Sequence, residues 1–267
     1  MLARGTGYEN IRDWLSDHCG MSFPEKKRDL LTHRMAKVQE RFGLSTLDDL
    51  AGELTSGGDV DLKLAVIHAA STNHTYFFRE PLALDFFRDK ILTAPPPSGG
   101  LRVWSAAASS GDEAFSLAIL AAQMFGAGAA SRVSILGTDI SLPAISQAEQ
   151  GLYSTSHLEH VPAPILDRYF TPAGMGQYRV VPEIRRICTF RRLNLKALPY
   201  PFTRGFHVIF CRNILYYFDR PHQFQILEQL YDVTEPGGLL LTSVTETVRD
   251  LHTRWEPVAN AVYRRSL

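Results

Sequence analysis

The segment Cys211-Arg212-Asn213-Ile214-Leu215-Tyr216-Tyr217-Phe218 sets a guanidinium, an amide and a phenol directly after the apolar run Phe206-His207-Val208-Ile209-Phe210. That run reads as a buried strand, and a strand ending in such groups presents them at the carboxyl edge of its sheet, where open α/β sheets bind ligands. Arg212, Asn213 and Tyr217 are therefore site candidates by topology. The plain alternative is that they cap a strand and a helix. A second candidate is Ala106-Ala107-Ala108-Ser109-Ser110-Gly111-Asp112-Glu113, small residues leading from a strand into a helix. Small side chains let backbone approach a ligand, and a helix amino terminus offers free N–H groups. The loop has neither the GxGxxG of a dinucleotide site nor the GK[ST] of a phosphate loop. Asp112 and Glu113 disfavour an anion there and favour a cation such as the ammonium of a methionine-like group, unless they only complement the helix dipole.

A carboxylate at Asp139 ends the next strand, Gly137-Thr138-Asp139. On this kind of fold an acid so placed accepts hydrogen bonds from both ribose hydroxyls, which points to an adenosyl ligand. Between NAD and S-adenosylmethionine, the missing glycines and the acidic loop favour the latter. Asn194 and Leu195 then frame the adenine, the amide on the base edge and the leucine over its face.

The elements that must position these residues fall into two regions. Up to about Ala70 the chain has helical periodicity without strand-like runs; from Leu101 strands and helices alternate, the pattern of an α/β doubly wound sheet. Tyr8, Ile11, Leu15 and His18 share one helical face that Gly20 ends, and Pro24 opens a second helix. Leu31, Met35, Val38 and Phe42 form that helix's apolar stripe. Beside it Lys27, Arg34, Lys37 and Arg41 form a basic stripe, either solvated surface or a dock for an acidic partner. Ser45 and Asp48 resemble a capping box, and Gly57-Gly58 precedes a fourth helix. Strands are expected at 101–106, 133–138, 206–211 and 239–244, the last after a Gly237-Gly238 turn, and helices at 112–124, 142–150 and 219–233. Val262-Tyr263 supplies a last antiparallel edge. Two short runs, 178–181 and 187–191, flank Pro182-Glu183 and read as an inserted hairpin. The expected organisation is a helical domain over 1–70, a linker and connecting helix over 71–100, and a catalytic domain over 101–267 with a β insertion at about 172–192.

Composition narrows the class. The 267 residues are 45% hydrophobic and 21% charged, and Lys plus Arg equals Asp plus Glu at 28 each. A neutral chain without interleaved aromatic and basic residues argues against nucleic acid. Cys19, Cys188 and Cys211 have no metal-ligand or CxxC spacing and suit reduced thiols. His68 and His74 lack partners at metal spacing, so no metal is expected. No uninterrupted apolar run is long enough to cross a bilayer, so no membrane insertion is expected and the protein reads as soluble and cytoplasmic.

The chain also resembles the CheR-type methyltransferases, which esterify glutamates on chemotaxis receptors. The resemblance rests on STNHTYFFRE (71–80), RVWSAAASSGDEAFS (102–116), LNL (193–195), CRNILYYF (211–218) and EPGGLLL (235–241), and covers most of the chain. It implies a class I SAM-dependent methyltransferase fold with a small all-α N-terminal domain and an inserted β-hairpin subdomain. The cofactor would be S-adenosyl-L-methionine, with S-adenosyl-L-homocysteine as product. Asn73, Thr75, Arg79, Glu113, Asp139, Asn194, Leu195, Arg212 and Asn213 would surround it, with Arg79 and Tyr217 near the methyl-transfer site. The partner implied is the cytoplasmic helical domain of chemoreceptors, methylated in sensory adaptation; a monomer is expected. The family often carries His-Ser-Glu after the late strand, whereas Ser243-Val244-Thr245-Glu246 keeps only the Glu. A class I methyltransferase acting on a small molecule or other acceptor, and a noncatalytic SAM-binding scaffold, are the alternatives.

Overall fold

The computed structural model describes residues 6–56, 59–71, 75–246 and 248–267. Gly57-Gly58, Asn73 and His74 lie outside the described residues. The first four helices are α1 (Gly7–Cys19), α2 (Arg28–Phe42), α3 (Leu47–Thr55) and α4 (Val60–Ala70). Tyr8, Ile11, Trp14 and Leu15 of α1 close on Leu31, Met35 and Val38 of α2 and Leu50 of α3 in one apolar core. Trp14 takes the buried place expected for His18, which lies outside and stacks on the indole at 4.4 Å. Gly20 stops α1 in the left-handed region at φ 71°, where a side chain is strained. The capping box falls one residue later than expected, on Thr46 and Asp49, because Thr46 takes the extended conformation that frees its hydroxyl for the Asp49 N–H.

After α5 (Pro81–Phe86) the chain forms β1 (Leu101–Ser105), α6 (Asp112–Phe125), α7 (Ala129–Arg132), β2 (Val133–Asp139) and α8 (Leu142–Gln150). Then come β3 (Leu152–Ser154), α9 (Ala163–Tyr169), β4 (Phe170–Gly174), β5 (Gln177–Val180), α10 (Pro182–Arg185) and β6 (Cys188–Arg192). The chain ends with β7 (Phe206–Phe210), α11 (Arg220–Asp232), β8 (Thr234–Leu241), β9 (Glu256–Ala259) and β10 (Val262–Arg264). The main sheet runs β6-β2-β1-β7-β8-β10-β9, parallel except where β10 meets β8 and β9. The chain works outward from β1 to β6 and then returns to place β7 on the other side of β1. That reversal puts a crevice beyond the carboxyl ends of β1 and β7.

Three expectations need correction. Residues 178–181 and 187–191 do not pair as a hairpin: β5 joins β3 and β4 in a separate three-stranded antiparallel sheet, while β6 adds in parallel to β2. Pro182, at the first turn of α10, makes the intervening segment a helical crossover instead of a tight turn. Strand β8 begins before the Gly237-Gly238 pair, which it absorbs with a register shift against β7, and the outer edge is β9 instead of Val262-Tyr263. The stretch Asp112–Arg132, though interrupted by Ser116 and Gln123, has the length and mean apolar composition to cross a membrane, alone among the described helices. Here it serves as a core helix: residues 114 to 122 are buried, and α6 packs on β2, β6 and α10.

Gly137 shows how tightly the sheet meets the site. A β-carbon there would lie 2.6 Å from the Phe190 ring and 3.1 Å from the methyl of Ala108. Gly137→Ala is expected to lower the stability read from urea unfolding by about 1–3 kcal/mol through overpacking.

Candidate active site

A cleft opens at the crevice between β1 and β7. Of the residues expected to bind, Thr75, Arg79, Glu113, Asp139, Asn194, Leu195, Arg212, Asn213 and Tyr217 all line it, and Asn73 lies outside the described residues.

Arg212 organises the floor. Its side chain is 2% exposed and donates to Glu113 Oε2 at 2.8 Å and to the Arg79 carbonyl at 2.8 Å, with Glu80 Oε2 at 3.4 Å. Glu113 also accepts from Ser105 Oγ at 2.7 Å. Glu80 accepts from Asn213 Nδ2 at 2.8 Å and Ser243 Oγ at 3.1 Å. Burial alone would raise the Glu80 pKa, but Asn213, Arg212 and Ser243 outweigh it and hold the carboxyl below its ordinary value. Glu246 is buried and accepts from the backbone N–H groups of Asn213 and Leu215 at 2.8 and 2.7 Å, and of Ser243 at 3.2 Å. Burial pushes its pKa up while those donors oppose the rise. Asn213 sits at φ 58°, so Glu246 secures a strained turn.

Across the cleft, Asp139 accepts from the backbone of Ser109 and of Ser141, each at 2.9 Å. Burial raises its pKa and the backbone donors counter it. Ser109, at φ 49°, carries a buried hydroxyl without a partner, and Arg212 Nε is likewise buried and unpartnered. Asn194 uses its amide to donate to the His18 carbonyl at 2.8 Å, and its oxygen accepts from the Lys196 N–H at 3.0 Å. Of the two acids that open α6, only Glu113 lines the cleft. Asp112 is fully buried beneath it, bonded to Ser110 Oγ at 2.7 Å and His157 Nε2 at 2.5 Å. The lining thus balances Glu113 and Asp139 against Arg79 and Arg212.

Sequence reading passed over Glu80, Ser109, Cys19 and Met21. Glu80 was legible only as a neighbour of Arg79, Ser109 as one more small residue, and the other two belong to the helical region. His68 bonds Ser141 Oγ at 2.6 Å. Among the described residues no group of three or more His, Cys, Asp or Glu side chains is arranged to hold a metal ion. Cys19 and Cys211 are buried thiols, and burial pushes Cys19 up to about 12.

A cleft at the switch point, with small residues after β1 and the carboxylate of Asp139 ending β2, fits an adenosyl cofactor. Two of the lining residues, Ser109 and Arg212, each keep one buried polar atom, Oγ and Nε, without a protein partner. This is the site of a SAM-dependent methyltransferase. Residues 73–264 match the family described as CheR methyltransferase, SAM binding domain, and residues 6–65 match CheR methyltransferase, all-alpha domain. The chain is 32% identical over 255 residues to chemotaxis protein methyltransferase 1 of Vibrio cholerae, covering 94% of this chain and 92% of that one. It is 34% identical over 247 residues to chemotaxis protein methyltransferase 2 of Pseudomonas aeruginosa, covering 90% and 85%. With the chemotaxis protein methyltransferase of Escherichia coli it shares 32% over 266 residues, covering 97% and 90%. The chain belongs to the CheR methyltransferase family.

The Asp112–His157 contact gives the loop after β1 a measurable pH dependence. The hydrogen bond to Asp112 raises the His157 pKa above its ordinary value against the opposing effect of burial. Its contribution to stability is therefore complete below about pH 6.5, the unfolded value, and is lost as pH rises through the higher folded value. His68 and His207 are shifted down by burial and act in the opposite sense. The check is a difference: between pH 6 and 8, the urea midpoint of the native protein should fall relative to that of His157→Gln.

Proposed function

We propose that this chain transfers the methyl group of S-adenosylmethionine to glutamate side chains on the cytoplasmic helical domain of chemotaxis receptors, forming glutamyl methyl esters, and that it does so as a cytoplasmic monomer. The observation that carries the reading is the gathering of Arg79, Glu113, Asp139, Leu195, Arg212, Asn213 and Tyr217 around one cleft in a chain of this family. We assign the catalytic work to a domain spanning 101–267, reached through a connecting segment over 71–100, and acceptor recognition to a helical domain over 1–70.

Bound S-adenosylmethionine supplies an electrophilic methyl on a sulfonium. Asp139 would hold the ribose hydroxyls, Leu195 would cover the adenine, and Glu113 with Asn213 would orient the amino-acid end, with Thr75, Asn194 and Asn73 completing the surround. A glutamate acceptor, with a reference pKa near 4.3, is already ionised at neutral pH. The chain then needs no general base; its task is to position. Arg79 would hold the acceptor carboxylate, and the Tyr217 phenol would fix the attacking oxygen's lone pair. Such orientation can supply roughly 7–11 kcal/mol of a barrier.

The basic stripe supports an acidic acceptor. Lys37 and Arg41 face a groove between α2, α4 and α8, and Ser71 lines both this groove and the cofactor cleft. Arg34 lines it too but donates to the Ala70 carbonyl at 2.7 Å, so part of its role is to close α4.

The test is transfer of tritiated methyl from S-adenosylmethionine to receptor-containing membranes, followed by mild alkali. Only a carboxyl methyl ester releases the label as methanol; label that stays fixed would refute the assignment. In the same assay Tyr217→Phe should lower turnover about 5–30-fold, the worth of one hydrogen bond at the reacting oxygen, with S-adenosylhomocysteine affinity little changed. Normal turnover would remove Tyr217 from this role. Reversing charge at Lys37 and Arg41 should raise the KM for receptor about 3–10-fold at low salt and flatten its salt dependence. An unchanged KM would count against steering.

A further inference from the structure

The carboxyl end of α1 is joined to both loops that close the cleft. Lys196 Nζ donates to the carbonyls of Ser16 and Asp17, each at 2.7 Å, and Asn194 Nδ2 to that of His18 at 2.8 Å. Three carbonyls of the last turn, of which Ser16 already accepts the Gly20 N–H, are thus bonded from a segment about 180 residues away in the chain, with an ammonium at the negative end of the helix dipole. On the other side the Ser22 N–H donates to the Tyr217 carbonyl at 2.6 Å, and Lys27 Nζ lies 5.5 Å from the Tyr217 ring. Gly20 fits between the two loops without room to spare. A β-carbon there would meet the Phe218 ring at 2.8 Å and the Lys196 stem at 3.3 Å. Cys19 and Met21, on either side of Gly20, form part of the cleft wall itself.

We propose that this junction is a latch: the helical region supplies a wall of the cofactor site, and Lys196 is the positioning residue that holds it in place. Cofactor affinity then depends on the docked state, and by linkage the cofactor favours docking. If opening the latch leaves the wall docked about one-tenth of the time, the apparent Kd for S-adenosylhomocysteine rises about ten-fold. The inference needs only cofactor binding and is independent of which acceptor is methylated.

The experiment pairs calorimetry using S-adenosylhomocysteine with the alkylation rate of Cys19 by iodoacetamide, read by peptide mass spectrometry. Lys196→Met should raise the Kd about ten-fold and speed Cys19 alkylation, and Lys196→Arg should restore both. Gly20→Ala, which opens the same junction from the other side, should act like Lys196→Met. In the native protein S-adenosylhomocysteine should slow Cys19 alkylation. Faster alkylation in Lys196→Met with a Kd within two-fold of native would reduce the junction to a structural contact and overturn the proposal, as would Cys19 alkylation indifferent to the ligand in the native protein. Either outcome leaves the methanol-release result, and with it the acceptor assignment, untouched.

Discussion

The buried guanidinium of Arg212 is the constraint on which the site depends. A charge with 2% of its side chain exposed is costly unless it is paired and hydrogen-bonded. Its partners come from three separate places: Glu113 at the start of α6, the backbone of Arg79, and Glu80. Satisfying one side chain therefore fixes the loop after β1, the loop after β7 and the segment before α5 relative to one another. Removing Glu113 would do more than delete a wall of the cleft, because it would leave Arg212 half-paired in the interior.

Strain gathers around the same point. Phe78, Glu80, Ser109 and Asn213 all have positive φ between 49° and 61°. Three of them are secured through the backbone by a bond from elsewhere in the fold: Ser116 Oγ accepts from the Phe78 N–H, Asp139 from the Ser109 N–H, and Glu246 from the Asn213 N–H; Glu80 is held through its carboxylate by Asn213 and Ser243. Non-glycine residues in this region persist only where their surroundings over-determine them. Here the surroundings are carboxylates and a hydroxyl fixed on rigid elements, so a cleft made of loops is nonetheless held in one shape.

What could be read in the sequence divides along physical lines. Strands and helices of the α/β region were legible because buried parallel strands are continuous apolar runs; α8 matches its expected bounds. Site residues at strand ends were legible because topology alone places them at the sheet edge. The pairing of β5 and β6 was not, since two short runs around a proline carry no information on which neighbour each will choose. Which of Asp112 and Glu113 faces the cleft was not readable either: adjacent helical residues point about 100° apart, and their distant partners, His157 on Asp112 and Arg212 on Glu113, are not visible in the local pattern. The amide of Asn194 was assigned to an adenine edge, yet its engagement with His18 depends on an approach of α1 that no local pattern encodes.

The neutrality of the chain takes a different meaning once it is folded. With 28 charges of each sign, the long-range field is weak, so recognition of an acidic acceptor must come from local concentration. At physiological salt, charges farther apart than about 8 Å are largely screened from each other. Only the side chains facing the groove then matter, and Lys37 and Arg41 lie there with Asp61 as the acid among its lining residues. The cofactor cleft, by contrast, sets two arginines against two acids. On the reading proposed here, attraction is assigned to the helical region and orientation to the sheet edge, and Ser71 lines both spaces.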